Sequence, residues 1–291
     1  MTTHPTSSPT PAEEKIDGNP VRISRRRLYD LRASLTPSDL DVLALLGEHR
    51  FLTSRHVASL AHADAATPLA GNRSAQRQLR KLSDLRLVGY LPRRVGGWGG
   101  GQAQTVWHLA EGGYRLLDFD NPRDIEVTSS RRRFREPSPQ FLAHTLRIAD
   151  IRVICEQPSP GQEVGLIQAE PECWRDWTSA YGAPLVLKPD LYVELADHDY
   201  DYYYFMEADL GSEHMPTVAR KAAVYQTYRD TGREQARLGG VFPLVLWVTP
   251  DQRRADQIMS VIRADPTCDE RLHQAVAITD LAEYLNSHDP G

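Results

Sequence analysis

Between residues 36 and 117 the apolar positions recur at the spacing of short helices. In "TPSDLDVLALLGEHRFLTSRHVASL", Leu40, Val42, Leu43, Leu45 and Leu46 share one wide face. Thr36 is an N-cap, Pro37 takes the first helical position, and Asp39 stands three residues after the cap. A turn and a second N-cap at Thr53 or Ser54 lead into a helix with Val57 and Leu60 inward. A third helix is predicted over 74–85, where Leu79, Leu82, Leu85 and Leu87 make the apolar stripe. Arg73, Gln76, Arg77, Arg80 and Lys81 fall largely off that stripe. "LVGYLPRR" then reads as a strand, "VGGWGGGQAQ" as a glycine-rich tip, and "TVWHLAEGGYRLL" as a return strand entering a helix.

Beyond residue 138 the period changes. Phe141, Leu142, Leu146, Ile148, Ala149 and Val153 recur at helical spacing. "EVGLIQAEPE", "PLVLKPDLYVEL" and "DYYYFMEADL" read as strands, the last two joined by the turn "ADHDYD". "MPTVARKAAVYQTYRDTG" is a helix with Pro216 in its first turn and Gly232 at its end. "FPLVLWVT" is apolar throughout, which predicts a central parallel strand. A helix, a short strand "AVAI" and a last helix follow.

These orders predict a two-domain α+β or α/β chain. Three helices followed by a hairpin is the order of a winged helix-turn-helix. Its third helix would enter the major groove of double-stranded DNA through Arg73, Gln76, Arg77 and Arg80, with Lys81 beside them. Arg93 and Arg94, next to the wing tip, would contact phosphate. A winged helix used for protein contacts fits the same pattern. The second half, α-β-β-β-α-β and then α-β-α, has the order of a PD-(D/E)XK nuclease core, a mixed sheet flanked by helices. The predicted boundaries are a disordered tail over 1–21, the winged helix over 22–117, a linker over 118–137 and the nuclease-like domain over 138–291.

Three acids interrupt the best strands of that domain: Asp190, Glu207 and Asp209. Phosphodiester cleavage needs hard oxygen ligands for Mg²⁺, here Asp190 and Glu207. Asp209 lies two residues after Glu207, hence on the same strand face. The nuclease pattern has a lysine at that place, and Lys221 on the next helix is the substitute. Lys221 shares a helix face with Val218 and Tyr225; a snorkelling surface lysine reads the same way. His144, on the face of Phe141 and Ile148, is either a partner of the carboxylates or a hydrogen-bonded core histidine. Glu170 and Glu172 are weaker candidates for a further ligand. Tyr202, Tyr203, Tyr204 and Tyr225 raise a tyrosine nucleophile of the relaxase kind, against ordinary strand and core packing.

Charge sharpens the division. Residues 21–136 carry about +8 and residues 137–291 about −11, inside a whole-chain charge of −5. A basic first half suits a phosphate-binding module. The run Arg131-Arg132-Arg133-Phe134-Arg135 suits either a DNA backbone or a solvated linker. The three cysteines offer neither a disulfide framework nor a metal pattern, and no apolar run reaches membrane-span length, so the expectation is a cytoplasmic protein with no small-molecule cofactor.

Taken together, "LRKLSDLRLVGYL", "VWHLAEGGYRLL", "FLAHTLRIADIRV", "KPDLYVEL", "FMEADLGSE", "RKAAVYQTY" and "FPLVLWVT" resemble the replication-relaxation family over most of residues 35–265. The resemblance implies a role in plasmid or mobile-element replication, DNA relaxation or mobilisation, and makes His144, Asp190, Glu207, Asp209, Lys221 and Tyr225 the positions to watch. Asp209, where a nuclease has lysine, is the departure from pattern. Two functions follow as expectations. One is a Mg²⁺-dependent DNA nickase. The other is a non-catalytic winged-helix regulator or replication initiator whose second domain mediates dimerisation.

Overall fold

The computed structural model describes residues 15–16, 19–20, 23–92, 104–120, 137–179 and 181–287. Arg93, Arg94, the wing tip through Ala103 and the Arg131–Arg135 run lie outside them. A two-residue ladder pairs Lys15–Ile16 with Asn19–Pro20, inside the stretch expected as a tail.

The first half contains α1 (Arg25–Ser34), α2 (Pro37–His49), β1 (Leu52–Thr53), α3 (Ser54–Ala61), α4 (Pro68–Asp84), β2 (Val88–Tyr90), β3 (Val106–Leu109) and α5 (Glu111–Asp120). The strands form an antiparallel sheet in the order β1-β3-β2. Local chemistry sets the helix starts. The Thr36 hydroxyl accepts from Asp39 N at 3.2 Å and the Asp39 carboxylate accepts from Thr36 N at 2.9 Å, a reciprocal cap. Thr53 and His56 repeat the device, with His56 Nδ1 accepting from Thr53 N at 3.3 Å.

The third helix starts six residues before the expected 74. Thr67 caps it, accepting from Ala70 N at 3.2 Å, and Pro68 takes its first position. Leu79 and Leu82 bury fully with Leu43, Leu46, Val57 and Leu109. A methyl group at Gly113 would run into the Leu87 carbonyl oxygen, so glycine lets α5 lie against the root of the hairpin.

The second half contains α6 (Pro139–Cys155), β4 (Glu163–Ala169), β5 (Arg175–Thr178), β6 (Pro184–Leu187), β7 (Leu191–Ala196), β8 (Asp201–Ala208), α7 (Met215–Arg229), α8 (Arg233–Arg237), β9 (Leu244–Thr249), α9 (Gln252–Ala264), β10 (His273–Ala277) and α10 (Leu281–Asn286). The main sheet is mixed, in the order β10-β9-β8-β7-β4. β4, β7 and β8 pair antiparallel, while β8, β9 and β10 run parallel. The apolar β9 is flanked on both sides, as its composition predicts.

Two expectations need correction. "PLVLKPDLYVEL" is two strands: β6 leaves the main sheet to form a separate hairpin with β5, and the chain re-enters the sheet at Leu191. Pro189 contributes no N–H to a ladder, so the break falls there. The short helix α8 also stands between α7 and β9, starting from Gly232, whose φ is +70°.

Helices cover both sheet faces. Ile148, Ile151 and Cys155 of α6, with Leu281 and Leu285 of α10, pack on Leu191, Val193, Met206, Leu246 and Val248. Val218, Ala222 and Tyr225 of α7, with Ile258 and Ile262 of α9, pack on Tyr192, Phe205, Val245 and Trp247. α6 is buried on two sides. Its Ala149 joins the core of the first half, and Leu142 and Leu146 pack with Phe51, Leu91 and Val106. Polar contacts flank this seam. His56 Nε2 donates to Asp150 Oδ1 at 2.9 Å, because its Nδ1 already accepts from Thr53. Arg152 Nη1 meets Glu48 Oε1 at 2.6 Å and His49 Nε2 at 2.9 Å. Among the described residues no helix is long and apolar enough to cross a membrane.

Candidate functional site

The antiparallel register of β7 and β8 runs up to Leu191 opposite Met206, so its next step sets Asp190 across from Glu207. Like charges facing each other on one sheet are unfavourable. Both residues are nonetheless buried, Asp190 at 8% exposure and Glu207 at 3%. The surroundings compensate. Asp190 Oδ1 accepts from His144 Nε2 at 3.0 Å and its Oδ2 from Ala208 N at 2.7 Å. Glu207 Oε1 accepts from the Tyr225 hydroxyl at 2.7 Å and Oε2 from Lys221 Nζ at 3.1 Å. Lys221 and Tyr225 stand one turn apart on α7, so both reach the same carboxylate.

The electrostatics follow from this crowding. Burial first, then the Asp190 charge, pushes the Glu207 carboxyl above its usual range, although Lys221 and Tyr225 oppose the shift. Burial disfavours the Lys221 ammonium, but Glu207, Asp190 and Glu213 together outweigh it and raise its pKa. The pair is unequal because Glu207 faces a second carboxylate and Lys221 faces three. The bond to Asp190 raises the His144 pKa against the effect of burial. Burial and then Glu207 hold the Tyr225 hydroxyl far above its usual range, so it stays a proton donor to that carboxylate.

Asp209 has a different partner. Arg254 of α9 grips it with a fork, Nε to Oδ1 at 2.8 Å and Nη2 to Oδ2 at 2.7 Å. Asp209 Oδ1 also accepts from Gly211 N at 2.6 Å, and Arg254 Nη2 donates to the Glu213 carbonyl at 2.7 Å. Glu213 in turn places Oε1 3.4 Å from Lys221 Nζ. Among the described residues no group of three or more His, Cys, Asp or Glu side chains is disposed to hold a metal ion. What the site offers is two hard carboxylates side by side. That suits Mg²⁺, which typically takes one or two carboxylates and completes its shell with water and phosphate. It does not suit an all-protein cage.

The remaining candidates sort themselves. Glu170 lies near enough to affect His144 and Cys173 without being bonded to Asp190 or Glu207 among the described residues. Tyr202 donates to Asp197 Oδ2 at 2.9 Å, at the far end of β8, and Tyr204 is core. Tyr203 packs, partly buried, against the cluster on the opposite sheet face. On α4, Arg73, Gln76, Arg77 and Arg80 are all exposed, at i, i+3, i+4 and i+7 of one face. Lys81 is also exposed, but its ammonium lies 2.5 Å from the buried Asp39 and supports the α2 cap. Two residues of the site escape sequence reasoning: Arg254 and Glu213. For Arg254 a signal existed, since it stands four residues before Ile258 and eight before Ile262, on the inward face of α9.

No curated protein and no solved structure matches the chain. The family model described as Replication-relaxation matches residues 43–245, from within α2 to β9, and so takes in α4 together with Asp190, Glu207, Asp209, Lys221 and Tyr225. That span is more than half of the chain, and the chain belongs to the replication-relaxation family.

Proposed function

We propose that this protein binds double-stranded DNA through a winged helix in its first half and nicks it with a PD-(D/E)XK-like second half, in the replication or relaxation of a plasmid or mobile element. The family supports the replication or relaxation role. The order α2-β1-α3-α4-β2-β3 supports the winged helix, with α4 as its recognition helix. Its four exposed side chains, Arg73, Gln76, Arg77 and Arg80, have the donors to read guanine and adenine edges and to hold phosphate.

The observation that carries the nicking activity is Lys221 on Glu207 at 3.1 Å, beside Asp190. Asp190 and Glu207 would hold Mg²⁺. When bound, the ion would neutralise phosphate charge and lower the pKa of a coordinated water. The protein's own groups do the rest. His144 orients Asp190 by donating to Oδ1, and Tyr225 orients Glu207 by donating to Oε1. Lys221 supplies positive charge for a pentacovalent phosphate. The test is conversion of supercoiled plasmid with Mg²⁺ or Mn²⁺. The wild type should nick, and Asp190→Ala with Glu207→Ala should lose on the order of a hundredfold or more. Equal residual activity in the two proteins would sink the nickase.

A second reading draws on Asp209. Its fork with Arg254 ties up the carboxylate that was expected to support the Asp190–Glu207 pair. That favours a non-catalytic regulator or initiator with an inactive nuclease-like dimerisation domain. In the same assay it predicts DNA binding without nicking.

A further inference from the structure

We infer that Lys221 is a displaceable internal cation: it neutralises Glu207 in the metal-free protein, and Glu213 is the seat it moves to when a divalent cation takes Glu207. The inference rests on reading Asp190 and Glu207 as the metal pair. Lys221 Nζ lies between two carboxylates, 3.1 Å from Glu207 Oε2 and 3.4 Å from Glu213 Oε1. The two differ in depth. The Glu207 side chain is 4% exposed, the Glu213 side chain 30% and the Lys221 side chain 38%. An ammonium on a four-carbon stem can turn outward from one to the other and keep an anionic partner throughout. Beside a divalent cation on the same carboxylate, like-charge repulsion favours the Glu213 contact that Lys221 already makes.

The loop that carries Glu213 is built to stay in place. Asp209 takes the Gly211 N–H at 2.6 Å and Arg254 holds both Asp209 and the Glu213 carbonyl. The third acid of the strands thereby has a task without touching metal. Asp209 and Arg254 are positioning residues that act through Glu213.

The experiment is titration calorimetry of the full chain with Mn²⁺ alone at pH 8.5. The proteins are wild type, Lys221→Gln, Glu213→Gln and the double variant, each first checked by thermal melting without metal. Lys221→Gln should bind Mn²⁺ about five- to tenfold more tightly while losing most nicking activity, a split that a purely structural lysine does not produce. Glu213→Gln should weaken binding about two- to fivefold, the strength of a part-exposed ion pair. It should have no effect in the Lys221→Gln background, since the two act as one unit. If Lys221→Gln does not fold, Glu213→Gln decides alone, and unchanged affinity overturns the inference. Binding by the wild type with no tightening in Lys221→Gln overturns the role of Lys221 and leaves the metal pair standing. No Mn²⁺ binding by either protein overturns the metal pair and the inference together.

Discussion

The exposed arginines of α4 and the basic side chains around Asp190 are put to opposite uses. On α4, Arg73, Arg77 and Arg80 stand in solvent on one stripe, available to an external anion. In the second half Lys221, Arg254 and His144 are each bound to a buried carboxylate of their own chain. Net charge alone does not separate these cases. A basic half advertises what its side chains can still reach, and an acidic half can hold cations that are already committed. Removing a committed cation strands a buried charge, whereas removing a free one costs the fold almost nothing.

The comparison can be broken at its strong end first. Arg254→Ala leaves Asp209 buried without its fork, and urea unfolding should show a loss of about 3–5 kcal/mol. A loss under about 1 kcal/mol would mean that the buried pairs are no more committed than the surface ones. Acid should act next. Burial first, then Arg152, lowers the His49 pKa to about 3, and burial lowers that of His273 to about 4, against 6.5 for a free histidine. The unfolded chain therefore takes up these protons first. Stability is full above pH 6.5 and is lost as the pH falls toward those values, by up to about 1.4 kcal/mol per pH unit for each histidine. Urea midpoints at pH 7 and pH 5 should differ accordingly, and His49→Gln should flatten the dependence.

Smaller still is Lys81→Ala. Asp39 keeps its bonds to Thr36 and Gln78, and the lysine is half exposed, so the cost should be at most about 1 kcal/mol. At the weak end, Arg77→Ala with Arg80→Ala should change stability by no more than about 0.5 kcal/mol. The same variant should lower the salt dependence of DNA binding by about two released counterions. Unchanged DNA affinity at physiological salt would count against α4 as the recognition helix.

What could be seen beforehand follows the range of the interactions. The Thr36-Pro37-Asp39 start of α2 is local, and its signature is complete within four residues. The face shared by Val218, Lys221 and Tyr225 follows from helical spacing, and the packing of α7 on the sheet sets Lys221 against Glu207. The early start of α4 was masked because Gly71 and Asn72 look like loop, while the Thr67-Pro68 cap lay just before them. The β5–β6 hairpin has no signature in the sequence, because "RDWT" is too short and polar to declare a strand. Strand spacing gives the face of Asp209, but its partner stands 45 residues away, and pairing at that range is set by how α9 packs. Glu213 gave no pattern at all, since its position depends on a carbonyl held by Arg254.

The sharing of α6 has a consequence for inheritance. A chain assembled from two exchangeable modules would be cut cleanly in the connector before Ser138. Here that cut would leave the first half without Ala149, Leu142 and Leu146, which complete its apolar seam, and would strip His56, Glu48 and His49 of partners. The same helix carries His144 to Asp190. Recombination that swapped one half for a foreign counterpart would have to bring a matching α6 with it, so the two halves are expected to have been passed on as one piece.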